Sequence, residues 1–60
     1  MLNLNYDGMI TYFSQVRHEY LYKAEMTGNV KHYYSYLNKA EALEVVIKIL
    51  KERKKKYGES

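Results

Sequence analysis

From residue 23 to residue 34 the chain reads Lys23-Ala24-Glu25-Met26-Thr27-Gly28-Asn29-Val30-Lys31-His32-Tyr33-Tyr34. Gly28-Asn29 is the one strong breaker inside the sequence, which contains no Pro. Glycine tolerates the left-handed conformation that closes many helices, and asparagine is a favoured N-cap for the next one. On either side the apolar residues recur at helical spacing. The pair therefore reads as a tight connection between helix 1, about residues 7–27, and helix 2, about residues 30–57. Residues 1–6 form an N-terminal arm and 58–60 a tail. Asp7 or Asn5 caps the first helix; with Asn5 as the cap, Leu4 and Met9 occupy the positions of a hydrophobic staple.

At about 100° per residue, Tyr6, Met9, Ile10, Phe13, Val16, Tyr20, Leu21 and Ala24 fall on one face of helix 1, roughly 140° wide. Helix 2 carries the heptad-like series Tyr33, Tyr36, Ala40, Leu43, Ile47, Leu50, Lys54, Tyr57, which is apolar as far as Leu50 and breaks at Lys54. A short turn makes the two helices antiparallel neighbours. The fold class is all-α, an antiparallel two-helix hairpin. Helix 2 is the longer, so its last turns should project beyond the body.

Helix 2 has more apolar surface than one partner can cover. Ala42, Val45, Val46 and Ile49 lie away from the seam, and Val30, Tyr34 and Leu37 on another flank. Size points the same way. A compact chain of this mass buries about 6,300 Å² on folding, a little over half of it apolar, worth roughly 80–90 kcal/mol. Ordering its 60 residues costs about 90 kcal/mol at ~1.5 each. The balance is near zero, and with no Cys a disulfide cannot tip it. Self-association into a homodimeric four-helix bundle can, with Phe13, Val16, Tyr20, Leu43, Val46, Ile47, Ile49 and Leu50 as the self-association residues. The alternative cover is the arm, with Leu2, Leu4 and Tyr6 folded back over the stripe.

Several classes lack support. The sequence has no Gly-rich nucleotide loop, and His18-Glu19 does not continue into a zinc-protease motif. Ser14 and His18 share a helix face, but no context marks a nucleophile with its base. His18, His32 and Glu25 do not form a compelling ligand set, and His18 is read as solvated. The expectation is a non-enzyme without metal, cofactor or small-molecule substrate. The start, Met1-Leu2-Asn3-Leu4-Asn5, has neither the basic nor the apolar region of a signal peptide, and no apolar run spans a membrane. With zero Cys this suggests a cytoplasmic protein. Abundant Lys, Tyr and Asn suggest an AT-rich genome, bacterial or phage.

The net charge of +3 is unevenly placed. Most of it lies in Lys51-Glu52-Arg53-Lys54-Lys55-Lys56, at one helix end. Cations there complement the helix dipole. Lys51, Arg53, Lys54, Lys55 and Lys56 could also meet nucleic-acid phosphates or an acidic partner. Eight Tyr in so short a chain are the more unusual feature. Tyr6, Tyr20, Tyr33, Tyr36 and Tyr57 read as core. Tyr12, Tyr22 and Tyr34 read as exposed, and with Met26, Val30 and Leu37 they suggest an interaction surface concentrated at the turn end, since Tyr and Met are enriched where proteins bind one another. The partner-binding candidates are Tyr12, Tyr22, Met26, Tyr34 and Leu37. Arg17 stands inside the apolar face of helix 1 and is read as snorkelling past its neighbours; the alternative is an ion pair to Glu41 or Glu44.

The expected function is that of a small interaction module that binds a larger protein and modulates or inhibits it. A small basic nucleic-acid-binding dimer is the alternative, and a purely structural oligomerisation element the second.

Overall fold

The computed structural model describes residues 5–57. They form two α-helices, α1 (Tyr6–Met26) and α2 (Val30–Tyr57), packed side by side as a hairpin. Leu2 and Leu4 lie outside the described residues, and with them the staple and most of the arm. The first helix starts one residue earlier than its periodicity suggests because Asn5, not Asp7, is the N-cap. Its side-chain oxygen accepts from the Gly8 N–H at 2.7 Å. A Cβ at Gly8 would stand 3.1 Å from that same oxygen, so a small residue lets the cap close. Asp7, in the first turn, complements the positive end of the helix dipole.

The connection differs from the expectation in its chemistry. Helix α1 ends at Met26, and Thr27 is its C-cap in extended conformation (φ −80°, ψ 144°), with its N–H bonded to the Lys23 carbonyl. Gly28 does not adopt a left-handed conformation, and a Cβ there would meet nothing within 4 Å. The reversal is made by side chains instead. Thr27 Oγ1 accepts the Asn29 N–H at 3.1 Å, and Asn29 Oδ1 accepts the N–H groups of Lys31 at 2.9 Å and His32 at 3.1 Å. Two of the orphan donors at the start of α2 are thus satisfied by one residue.

The seam is thin. Among the described residues only Ala24, Ala40 and Ile47 are buried, at 2%, 1% and 8% exposure. The alanines lie in the half nearer the turn, where absent side chains let the helices approach. Tyr6, Met9, Ile10, Phe13, Val16, Tyr20 and Leu21 on α1, and Tyr36, Leu37, Leu43 and Leu50 on α2, are half-buried along its edges. Two of the expected core tyrosines are not core: Tyr33 lies partly in solvent and Tyr57 is well exposed. Tyr57 sits in the last turn of α2. That helix has 28 residues against 21 for α1 and so outreaches it by about 10 Å at ~1.5 Å per residue.

Among the described residues two ion pairs cross the hairpin. Arg17 reaches Glu44 at 3.1 Å rather than snorkelling into solvent, and Lys54 reaches Asp7 at 2.5 Å. Side chains lean toward the N-terminus of their own helix. In an antiparallel pair, Arg17 and Glu44 therefore lean toward each other. Lys54, where the apolar heptad fails, leans back from the overhanging end of α2 onto the first turn of α1.

Two substitutions test the turn. Asn29→Ala should cost about 1 kcal/mol, the usual loss of an N-cap, seen as a lower melting temperature. Gly28→Ala should be neutral or stabilising by up to roughly 1 kcal/mol, since the folded conformation admits a Cβ and the unfolded chain loses freedom. A destabilised Gly28→Ala would show that the turn needs glycine after all.

Candidate functional site

With the seam direction known, each side chain can be assigned to a side of the hairpin. One side is polar. A groove of about 520 Å³ runs along it, lined by Ser14, Arg17, Glu44, Ile47, Lys48, Lys51, Glu52 and Lys55. The three lysines follow the i, i+3, i+7 spacing that aligns residues on one helix face. The groove is open to solvent, and the Arg17–Glu44 pair lies in it. His18 is exposed, beside Ser14, Gln15 and Glu19 in a shallow depression. Among the described residues no three His, Cys, Asp or Glu gather as a metal set. Nor, among the described residues, is any helix long and apolar enough to cross a membrane.

The opposite side is apolar. Near the turn it carries the Tyr20–Tyr36 stack, with ring centroids 6.1 Å apart and the ammonium groups of Lys23 and Lys39 at 5.8 and 5.6 Å from the Tyr20 ring. Helical spacing continues this side through Val16, Tyr12 and Met9 on α1 and through Leu43, Val46 and Leu50 on α2. Tyr12 is exposed and packs edge-on against Phe13, centroids 5.2 Å apart. Ala42, Val45 and Ile49 are also exposed, extending the apolar surface around the back of α2.

The turn end forms a third surface, and here the structure divides what the sequence grouped together. Val30, Tyr33 and Tyr34 surround a depression with Thr27, Gly28 and Asn29. The Tyr33 and Tyr34 rings meet edge-to-face at 5.3 Å. Tyr22 and Met26, one turn apart, form a second exposed pair on the outer face of α1. Met26 is 65% exposed, Val30 68% and Tyr34 58%. Leu37 is half-buried and stands outside the exposed set. Tyr12 is about 15 Å from Tyr22 along the helix at ~1.5 Å per residue, and so belongs to the apolar side. Tyr33 is the member that sequence reasoning assigned to the seam. Its adjacency to Tyr34, with both near an exposed turn, was the available signal.

The candidate basic residues do not share a face. Lys51 and Lys55 turn toward the polar groove. Lys54 is held by Asp7. Lys56 lies over the Tyr57 ring at 5.6 Å, and helical spacing places Arg53 on the far side from Lys51 and Lys55.

Comparison of the chain with protein-family models, with curated proteins and with solved structures finds no match.

Arg17 and Glu44 retain 32% and 58% side-chain exposure, which places the pair among surface ion pairs. A double-mutant cycle with Arg17→Gln and Glu44→Gln should give a coupling of at most about 1 kcal/mol, falling as salt is raised. A larger, salt-insensitive coupling would mean the pair is shielded in the native assembly.

Proposed function

We propose that this chain is a non-enzymatic interaction module: a homodimer of hairpins, forming a four-helix bundle, that binds a larger protein through its turn end and modulates or inhibits it. The observation that carries the reading is the burial pattern. Two helices enclose two alanines and one isoleucine, while large apolar side chains stand exposed on two separate regions. Apolar surface left this accessible on a small chain is surface for association. The two regions suit different tasks. The apolar side is lined by aliphatic and aromatic residues from both helices, like the interior of a bundle. The turn end presents Val30, Tyr33 and Tyr34 around a depression, with the two rings ordered against each other, and Tyr22 and Met26 as a separate exposed pair. Rigid aromatic side chains bring large contact area at small entropic cost.

The nucleic-acid reading has less support. Its five cations surround the end of α2, one is engaged by Asp7, and no reading element accompanies them.

The test is affinity capture from the source cell with the tagged full chain, with and without nuclease. The expected result is a protein retained after nuclease by the native chain and lost, tenfold or more, with Tyr22→Ala/Tyr34→Ala at unchanged helicity. Both residues are more than half exposed, so neither should unfold the hairpin. A signal removed by nuclease would replace this reading with the nucleic-acid one. A partner held equally by the variant would move its site away from the turn.

A further inference from the structure

We propose that the groove on the polar side of the hairpin is a second partner contact, and that it takes a helical segment of the partner protein whose carboxylates repeat at the spacing of Lys48, Lys51 and Lys55. This rests on the reading of the chain as a module that binds a larger protein, and it adds the chemistry of that partner.

The groove concentrates the charge of the molecule. Arg17, Lys48, Lys51 and Lys55 line it against two carboxylates, Glu44 and Glu52. The surplus of two positive charges is most of the +3 that the whole chain carries. Arg17 and Glu44 pair with each other at 3.1 Å. Among the described residues the other ion pair is Lys54–Asp7, so none of the three lysines has a carboxylate partner there. Glu52 stands one turn from both Lys48 and Lys55 and pairs with neither. Like charges gathered in one groove repel, and an anion laid among them relieves the repulsion.

The spacing of the row selects the shape of that anion. Along α2 the three lysines are about 4.5 and 6 Å apart at ~1.5 Å per residue. A small anion reaches one or two of them. An extended strand sets its same-face residues about 6.7 Å apart and falls out of step along the row. A helix with carboxylates at i, i+3 or i+4 and i+7 repeats the same steps when it lies along the groove. The walls suit a helix: Ser14 and Arg17 of α1 form one, α2 forms the other, and Ile47, 8% exposed, closes the floor. The methylene stems of the lysines add apolar surface.

Glu44 and Glu52 favour protein over nucleic acid. A nucleic-acid strand carries one charge every ~3.4 Å of axis, so phosphate would be forced against Glu52. A peptide helix can set a neutral or basic residue there. Lys48 and Lys51 lie about 30 Å from Val30 along α2 at ~1.5 Å per residue. The groove and the turn end are therefore separate contacts, and variants in one leave the other intact.

The probe is a labelled, alanine-rich helical peptide of about 20 residues with Glu at i, i+3 and i+7. By fluorescence anisotropy it should bind the full chain, with affinity falling as salt is raised. A peptide of equal composition with its Glu on different faces should bind about tenfold more weakly. So should the first peptide with Lys48→Gln/Lys51→Gln/Lys55→Gln, where three exposed ion pairs are lost together. Lys31→Gln/Arg53→Gln/Lys56→Gln removes the same charge from other exposed positions and should bind as the native chain does. Carbodiimide coupling of peptide carboxylates to the native chain, mapped by mass spectrometry, should fall on Lys48, Lys51 and Lys55. It needs no variant, and so decides the matter if the triple variant loses helicity. Equal affinity for both peptides, equal loss in both variants, coupling spread over all lysines, or no binding at millimolar peptide overturns the proposal. A single-stranded oligonucleotide of matching charge that binds more tightly through the same lysines overturns it in favour of nucleic acid. None of these results touches the turn-end reading, which Tyr22→Ala/Tyr34→Ala tests. Capture that survives that double variant, with peptide binding still following the lysines, overturns the turn end and keeps the groove.

Discussion

Two helices touch along a single line, and every other feature of this molecule follows from how little that line can bury. The residues on it are Ala24, Ala40 and Ile47. The alanines allow close approach near the turn, and Ile47 is the one large side chain enclosed among the described residues. Among the described residues the other large apolar side chains are half-buried along the edges of that line or exposed. A third layer is the usual remedy in small helical proteins, and the proposed second copy would supply it without lengthening the chain. The thinness of the core and the exposed apolar surface thus have one physical origin.

That origin also separates the surfaces. Once the seam is occupied, the remaining residues of α1 and α2 sort into a polar side, an apolar side and a turn end. On the polar side Arg17 pairs with Glu44, and Lys54–Asp7 closes the open end. Neither pair is buried enough to contribute much to stability; what they contribute is register, favouring one alignment of the two helices over its neighbours. The turn end is held by side-chain to backbone hydrogen bonds from Thr27 and Asn29. It can therefore present Val30, Tyr33 and Tyr34 in a defined geometry although little packs behind them.

The elements were legible because helical periodicity is strong and one dipeptide interrupts it. The two helices differ from their sequence reading by a single residue at each end of α1. Asn29 was legible as a cap from residue type alone. The role of Gly28 was not. Its presence suggests a left-handed helix end, yet an extended Thr27 with its hydroxyl turned to Asn29 makes the reversal by another route. The place of Arg17 in the apolar face suggests snorkelling, since it says nothing about what stands opposite. The heptad series runs through Tyr33 and so suggests a seam position. In the structure the seam has already narrowed to alanine at that end, and Tyr33 turns to Tyr34 instead.

By itself, the sequence determined two amphipathic helices, the position of the break between them, and an apolar surplus too large for one antiparallel neighbour. These are local or summed quantities: spacing at 3.6 residues per turn, the preference of Asn for a helix start, a count of apolar residues against chain length. Only the tertiary structure decided which residues share a side. The rotation of α1 about its own axis relative to α2 determines whether Val16 and Val46 flank the same surface or opposite ones. That rotation is set by the fit of Ala24, Ala40 and Ile47 in the seam and by the reach of Arg17 to Glu44 and of Lys54 to Asp7, contacts between residues that periodicity along either helix does not relate.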